Sequence, residues 1–187
     1  MPEAEEGWSQ PDWRGKLRRL RYGVAVSLDG FIAGPNGEFD WIVHDPAIDF
    51  VAIFAQYDTL LMGRKTYEVA RSRLADLSGS GHRWIVVSST LKPEECPGFT
   101  ILSGGVAEAV AALKAQPGKD IWLFGGGVLF RFLLDAGLVD AVELEMIPVM
   151  LGSGTPLLPE GRRQSLHLEE TKALPSGIVM LSYSIRA

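Results

Sequence analysis

Apolar and polar positions follow two periods along this chain, and the changes of period mark its elements. Tyr22–Ser27 reads as a first strand, and the Gly- and Pro-rich run from Ser27 to Trp41 reads as a loop. Phe50, Val51, Ile53, Phe54 and Tyr57 recur at helical spacing, and Thr59–Met62 is a short buried strand. Lys65–Leu74 has helix character, Trp84–Val87 is a β-branched, apolar strand, and Thr100–Leu102 is a short one. Val106, Val110 and Leu113 line one face of a helix over Val106–Ala115, and Ile121–Phe124 is a further buried strand. Val128–Ala136 is a helix closed by Gly137, since glycine is preferred just past a helix end. Val142, Leu144 and Met146 alternate with Glu143 and Glu145, and Leu166–Ala173 and Ile178–Ile185 flank Pro175-Ser176-Gly177 as a terminal hairpin.

Strand and helix alternate through the middle of the chain, which predicts an α/β fold with a mostly parallel sheet covered on both faces. The terminal hairpin adds antiparallel strands. No internal repeat or long linker breaks the pattern, so residues 20–187 read as one domain and residues 1–19, without a convincing period, as a mobile arm. The basic run Lys16, Arg18, Arg19 and Arg21 reads as a solvated face, with an anion site as the alternative. With 187 residues, 47% hydrophobic and 22% charged, the composition suits one ordinary core. The net charge of −5 argues against a general nucleic-acid-binding surface but leaves room for a local phosphate site. Cys96 is the only cysteine, which excludes an intrachain disulfide and a multi-cysteine zinc site and favours a reducing compartment. Apolar stretches fall short of the ~20 residues of a membrane helix, and the first residues lack a signal peptide's apolar middle, so a cytoplasmic address is expected. His44, His82 and His167 lack metal-ligand spacing, and no metal is expected.

Two segments carry candidate chemistry. In TLLMGRKTYE, residues 59–68, a buried strand ends at Met62, Gly63 permits a tight turn, and Arg64, Lys65 and Thr66 open a helix. Free amides, a hydroxyl and a planar guanidinium at such a junction make a phosphate cradle; a helix start with two solvated cations is the plainer reading. In IWLFGGGVLFRFLL, residues 121–134, a buried strand meets three glycines and then a helix. Missing Cβ atoms there let a ligand approach the backbone, and a flexible turn is the alternative. Neither segment fits the Walker or Rossmann spacing.

MGRKTYE at 62–68, IVVSST at 85–90 and LFGGGVLFRFLL at 123–134 resemble, in order and spacing, three cofactor-binding segments of dihydrofolate reductases. VAVSLDGFIAG at 24–34 and ELEMIPVMLGSGTPLLP at 143–159 look closer to the C-terminal reductase domain of the bacterial riboflavin deaminase/reductase and its stand-alone relatives. The resemblance runs from about Tyr22 to the C-terminus and implies a dihydrofolate-reductase-like three-layer α/β/α sandwich, NADPH as cofactor and a homodimer. It implies that Gly63, Arg64, Lys65 and Thr66 hold the pyrophosphate and the ribose 2′-phosphate, and that Ser88 and Ser89 line the adenosine end. Gly125, Gly126 and Gly127 pass under the nicotinamide side, with a cis bond between two glycines; Val128 and Leu129 add amides, and Ala25 lies beside the nicotinamide. Trp41 matches a tryptophan in the mobile loop over the active site.

The departures from the resemblance concern the substrate. Folate reductases place a carboxylate on the helix before the MGR-like segment, where this chain has Ala47 between Asp45 and Asp49, either of which fits a structural role at a helix start. Glu145 falls where those enzymes have a substrate-contacting threonine, and an alternating strand explains it equally well. Asp29 is placed to orient substrate, or simply to make an Asp-Gly turn. Arg162, Arg163 or the basic end of the arm would supply a substrate anion pocket. The expected activity is NADPH-dependent reduction of a small heterocyclic or ribosyl substrate, like that of 5-amino-6-(5-phosphoribosylamino)uracil reductase, with Asp29, Trp41 and Glu145 as catalytic candidates. A folate-type reductase and a nucleotide-binding module without catalysis are the alternatives.

Overall fold

The computed structural model describes residues 17–74 and 81–186. Ten strands and four α-helices follow one another as β1 (Leu20–Ser27), β2 (Phe31–Ala33), α1 (Phe50–Phe54), β3 (Tyr57–Gly63), α2 (Arg64–Leu74), β4 (Arg83–Val87), β5 (Thr100–Leu102), α3 (Val106–Lys114), β6 (Asp120–Gly125), α4 (Gly127–Asp135), β7 (Ala141–Ile147), β8 (Thr155–Pro156), β9 (Leu166–Ala173) and β10 (Val179–Ile185). Eight strands form one sheet in the order β5-β4-β3-β6-β1-β7-β10-β9. The six from β5 to β7 run parallel, and β10 pairs antiparallel with both β7 and β9.

Each face of the sheet owes its helices to the residues turned toward it. On one face Leu20, Tyr22, Leu61, Ile121 and Leu123 pack against Val110 and Leu113 of α3 and Leu129, Phe130 and Leu133 of α4. On the other, Leu60, Met62, Trp84 and Val86 meet Tyr67 and Ala70 of α2 and Phe54 of α1. The result is the three-layer α/β/α sandwich. At Gly23 in β1 the indole of Trp122 lies so close that a Cβ would come within 2.6 Å of its Nε1, which donates to the Gly23 carbonyl at 3.0 Å.

The structure extends or corrects the sequence reading in three places. Tyr57 belongs to β3 and not to the preceding helix, which stops at Phe54; its ring is buried against Trp122 and beneath the Arg21 guanidinium, contacts that local periodicity does not encode. A small second sheet, β2 paired with β8, ties the loop after β1 to the segment after β7. Two members of the basic run are not solvated, while Lys16 lies outside the described residues. Arg18 and Arg21 are buried: Arg18 pairs with Asp58 and donates to Thr59 Oγ1 at 2.8 Å, and Arg21 pairs with Glu143 and Asp120. Of the proposed N-terminal arm, residues 1–16 lie outside the described residues.

Candidate active site

The strand order creates a crevice. From β3 the chain passes through α2 to β4 on one side, whereas from β6 it passes through α4 to β7 on the other. Because β3 and β6 are neighbours, with Met62 opposite Gly125, the two helices leave adjacent strand ends toward opposite faces of the sheet. Their N-termini flank a gap beyond the carboxyl ends of the strands, the position where open α/β sheets bind ligands.

Glycines shape this gap. Gly126, the N-cap of α4, has φ 98° and ψ 102°, a conformation L side chains rarely adopt. A Cβ on it would point across the crevice, 3.6 Å from Thr66 Oγ1 and 3.9 Å from the Gly63 backbone. One on Gly127 would come within 2.9 Å of the Pro156 carbonyl oxygen, so α4 is seated directly against β8. All described peptide bonds are trans, so the cis bond expected between two glycines is absent; the positive φ of Gly126 turns the chain into α4 instead.

From this crevice a cleft of about 1770 Å³ runs along the sheet toward β9. Single small-molecule sites occupy roughly 300–1,000 Å³, so the cleft has room for a dinucleotide and a second molecule. Gly63, Arg64, Lys65 and Thr66 form one wall of its crevice end, and Gly125, Gly126, Gly127, Val128 and Leu129 the other. Lys65 is exposed, while Arg64 holds Glu68 one turn along at 2.9 Å in a pair that is nearly half exposed. Val69, Val128 and Phe132 add apolar surface. Such uncovered apolar side chains beside free helix amides suit a ligand with a flat ring and phosphates.

The floor is a set of side chains in register across four strands. Ala25 on β1 stands opposite Glu145 on β7, Glu145 opposite Met180 on β10, and Met180 opposite Lys172 on β9. One step back, Glu143 lies opposite Gly23 and Ser182. Its carboxylate is fully engaged: Arg21 Nε donates to Oε1 at 2.8 Å and Tyr57 donates its hydroxyl to Oε2 at 2.9 Å. Arg21 also donates to Gln56 at 2.9 Å, so this cation is spent inside the protein. Glu145 has no such partners, and burial pushes its carboxyl above the usual glutamate range.

Other residues singled out from the sequence sit elsewhere. Ser88 is buried beyond β4, and its Oγ accepts from the amides of Thr90 at 3.1 Å and Leu91 at 3.0 Å, which commits it to a turn; neither it nor Ser89 lines the cleft. Asp29 accepts from Ser27 Oγ at 2.6 Å and from the amides of Leu151 and Gly152, bonds that hold its carboxyl below the usual range and staple the turn after β1 to the loop after β7. Trp41 packs against Ile48, Ile147, Leu174 and Ile178 and donates its indole N–H to the Glu38 carbonyl at 3.1 Å, while its neighbours Phe39 and Ile42 line the cleft. Asp49 caps α1 through the Ala52 amide at 2.9 Å, and Asp45 ties Ala47 to the β9–β10 turn at Ser176. Arg162 and Arg163 are exposed away from the cleft lining; the cation at its far end is Lys172. No local motif marks Lys172, because its position depends on a pairing of β9 with β10 that only the fold reveals.

Among the described residues no group of His, Cys, Asp and Glu could hold a metal ion, and no helix is long and apolar enough to cross a membrane. The chain is 36% identical over 179 residues to YyaP, an uncharacterized protein of Bacillus subtilis (strain 168), covering 90% of this chain and 95% of YyaP. A solved structure from Shewanella sp. PV-4, provisionally assigned to riboflavin biosynthesis, superposes with a TM-score of 0.77 at 26% identity over 90% of this chain and 99% of that one. Dihydrofolate reductase from Enterococcus faecalis, complexed with NADP(H) and RAB-propyl, shares the fold with a TM-score of 0.67 at 20% identity over 92% and 99% of the two chains. Residues 18–180 match the RibD C-terminal domain, and with the three-layer fold and the glycine-lined crevice this places the chain in the RibD C-terminal domain family.

Proposed function

We propose that this chain is an NADPH-dependent reductase of the riboflavin-biosynthesis type, reducing a small heterocyclic or ribosyl substrate. The observation that carries the reading is the meeting of two glycine turns, Gly63 and Gly125 to Gly127, at adjacent strand ends with Thr66 between them. A Cβ at Gly126 would project into the gap between the two turns, 3.6 Å from Thr66 Oγ1, and its absence leaves room for a dinucleotide backbone, so the residues present fit the cofactor. In this reading the first turn of α2 takes the phosphates, with Arg64 exchanging its exposed bond to Glu68 for the ribose 2′-phosphate and Lys65 adding charge. The amides of Val128 and Leu129 face the bound molecule from the start of α4. Ala25, lacking bulk, leaves the floor open beside the nicotinamide. When bound, NADPH supplies a hydride. The protein's share is to align the acceptor over the β7–β10 floor and to exclude water with the apolar walls and the loop carrying Phe39 and Ile42.

We place the protein in the cytoplasm, which its single buried free cysteine suits. We also propose a homodimer, because β9 is an eight-residue edge strand exposed along its whole length, with Leu166 and Leu168 uncovered. NADPH oxidation followed by absorbance tests the activity, with 5-amino-6-(5-phosphoribosylamino)uracil set against dihydrofolate. Turnover of the pyrimidine is expected. Turnover of dihydrofolate alone would move the protein to the folate-type reductases, and saturable NADPH binding without oxidation would make it a nucleotide-binding module.

A further inference from the structure

Reduction of a C=N or C=O bond requires a proton as well as a hydride, and the floor of the cleft offers several carboxylates. Most are already occupied. Glu143 is held at both oxygens by Arg21 and Tyr57, Asp49 caps α1, and Glu68 pairs with Arg64. Glu170 lies exposed on the edge strand β9. Glu145 alone among the described cleft carboxylates is largely buried and has neither a hydrogen bond nor an ion pair.

Its placement is equally specific. Glu145 is the direct register partner of Ala25, one strand spacing of about 4.8 Å away. On its other side stands Met180, which offers no competing hydrogen bond. We infer that Glu145 is the proton donor of the reduction, acting on the nitrogen or oxygen of the substrate's double bond. The inference rests on the reductase reading above and adds to it the group that completes the chemistry.

The step balances as follows. The substrate carbon gains the hydride, the π electrons of the double bond pass to the heteroatom, and the Glu145 carboxyl O–H breaks to give that heteroatom its proton. NADPH loses two electrons and the double bond gains them; the Glu145 carboxylate then recovers a proton from water. Such a donor must keep its proton near the working pH. Burial raises the Glu145 carboxyl in that direction, and it is the sole cause of the shift. The charged groups that share the cleft with it are Glu143 on its own strand, Arg21 on β1, Glu170 and Lys172 on β9, Asp49 at the start of α1, and Arg64, Lys65 and Glu68 on α2. Arg21 is paired with Glu143 and Asp120, and no ion pair joins it or Lys172 to Glu145.

The test uses the full chain and its Glu145→Gln variant, with three readouts. Carbon-13 NMR of the labelled glutamate carboxyls should show one resonance titrating above the usual glutamate range in the parent and missing from the variant. The thermal shift induced by NADPH should be the same in both. With the pyrimidine or dihydrofolate as acceptor, kcat/KM of the parent should fall as pH rises through that titration, while the variant should lose a hundredfold or more at neutral pH together with that limb, in keeping with the ~10²–10⁴-fold contribution of a positioned acid. A Glu145 resonance titrating at or below the ordinary value overturns the assignment, because the group would be ionised at neutral pH. So does a variant that keeps the parent's rate and pH profile. A parent that neither binds NADPH nor reduces either acceptor overturns the reductase reading itself, and the donor role with it.

Discussion

Replacing Gly126 by alanine and by valine separates the two tasks that this residue is inferred to perform. The first task is conformational. At φ 98° and ψ 102° any L side chain is strained, by ~1–3 kcal/mol, and the cost is paid with or without ligand. For a chain of this size 1 kcal/mol corresponds to about 2–4 °C in Tm, so both variants should melt roughly 2–12 °C below the parent. Crowding adds little in the alanine variant, since the new Cβ would meet Thr66 Oγ1 at 3.6 Å and Gly63 at 3.9 Å, ordinary contact distances. The second task is to leave the crevice open, and here the two variants diverge. Alanine fills part of the gap; the γ carbons of valine extend further toward α2. Thermal unfolding is recorded without cofactor and again in saturating NADPH, which stabilises a binding protein by ~2.7 kcal/mol at a hundred times Kd. The parent should gain that increment, the alanine variant part of it, and the valine variant almost none. A valine variant that melts early but keeps the whole cofactor-induced shift would show that the triple glycine is only a turn.

Three further outcomes are expected. Arg64→Ala should erase most of a ten- to hundredfold preference for NADPH over NADH, equivalent to about 1.5–3 kcal/mol for one charged hydrogen bond, when Kd is measured for both cofactors; the exposed bond to Glu68 that Arg64 gives up is worth well under 1 kcal/mol. Indole fluorescence should change when NADPH is added, and Trp41→Phe should remove most of that change, because Trp41 anchors the loop whose neighbours Phe39 and Ile42 line the cleft; an unaltered signal would uncouple this loop from the site. Tyr22→Phe should raise the urea midpoint by an amount equivalent to about 1 kcal/mol, since the Tyr22 hydroxyl is buried without a hydrogen bond and its ring stacks on Phe130 at a centroid distance of 3.8 Å. A loss of stability in that variant would mean that the hydroxyl has a partner.

The glycine-lined end of the cleft was legible because its determinants are local. A buried strand, a glycine and a helix start lie within ten residues of one another in both 59–68 and 121–134, and the sheet then brings these two junctions together. The strands were legible for a similar reason: those between covered faces are apolar throughout, as in β3, where Leu60, Leu61 and Met62 are all fully buried. Where the reading failed, the deciding partner was far away in sequence. Arg18 and Arg21 look like a solvated run until β3, β6 and β7 supply Asp58, Asp120 and Glu143. Ser88 looks like a ligand contact until the turn after β4 takes its hydroxyl.

The β7–β9 end was less legible because its residues share a rung of the sheet and not a stretch of chain. Ala25, Glu145, Met180 and Lys172 come from four strands, and the rung exists only once β1 pairs with β7, β7 with β10 and β10 with β9. The sequence does carry one trace of it. In β7 the alternation Val142-Glu143-Leu144-Glu145-Met146 places two acids on a face that a solvent-exposed strand would explain without further meaning. β7 is an interior strand, however, and neither acid is exposed. An interior carboxylate must be neutralised by a partner or retain its proton. Glu143 takes the first course through Arg21 and Tyr57, whereas Glu145 has no partner among the described residues and burial pushes its carboxyl up, toward the second. Two chemically identical side chains two residues apart thus acquire different surroundings from the strands beside them: one is held by a cation and a hydroxyl, and the other faces the cleft unpaired with its carboxyl pushed up by burial.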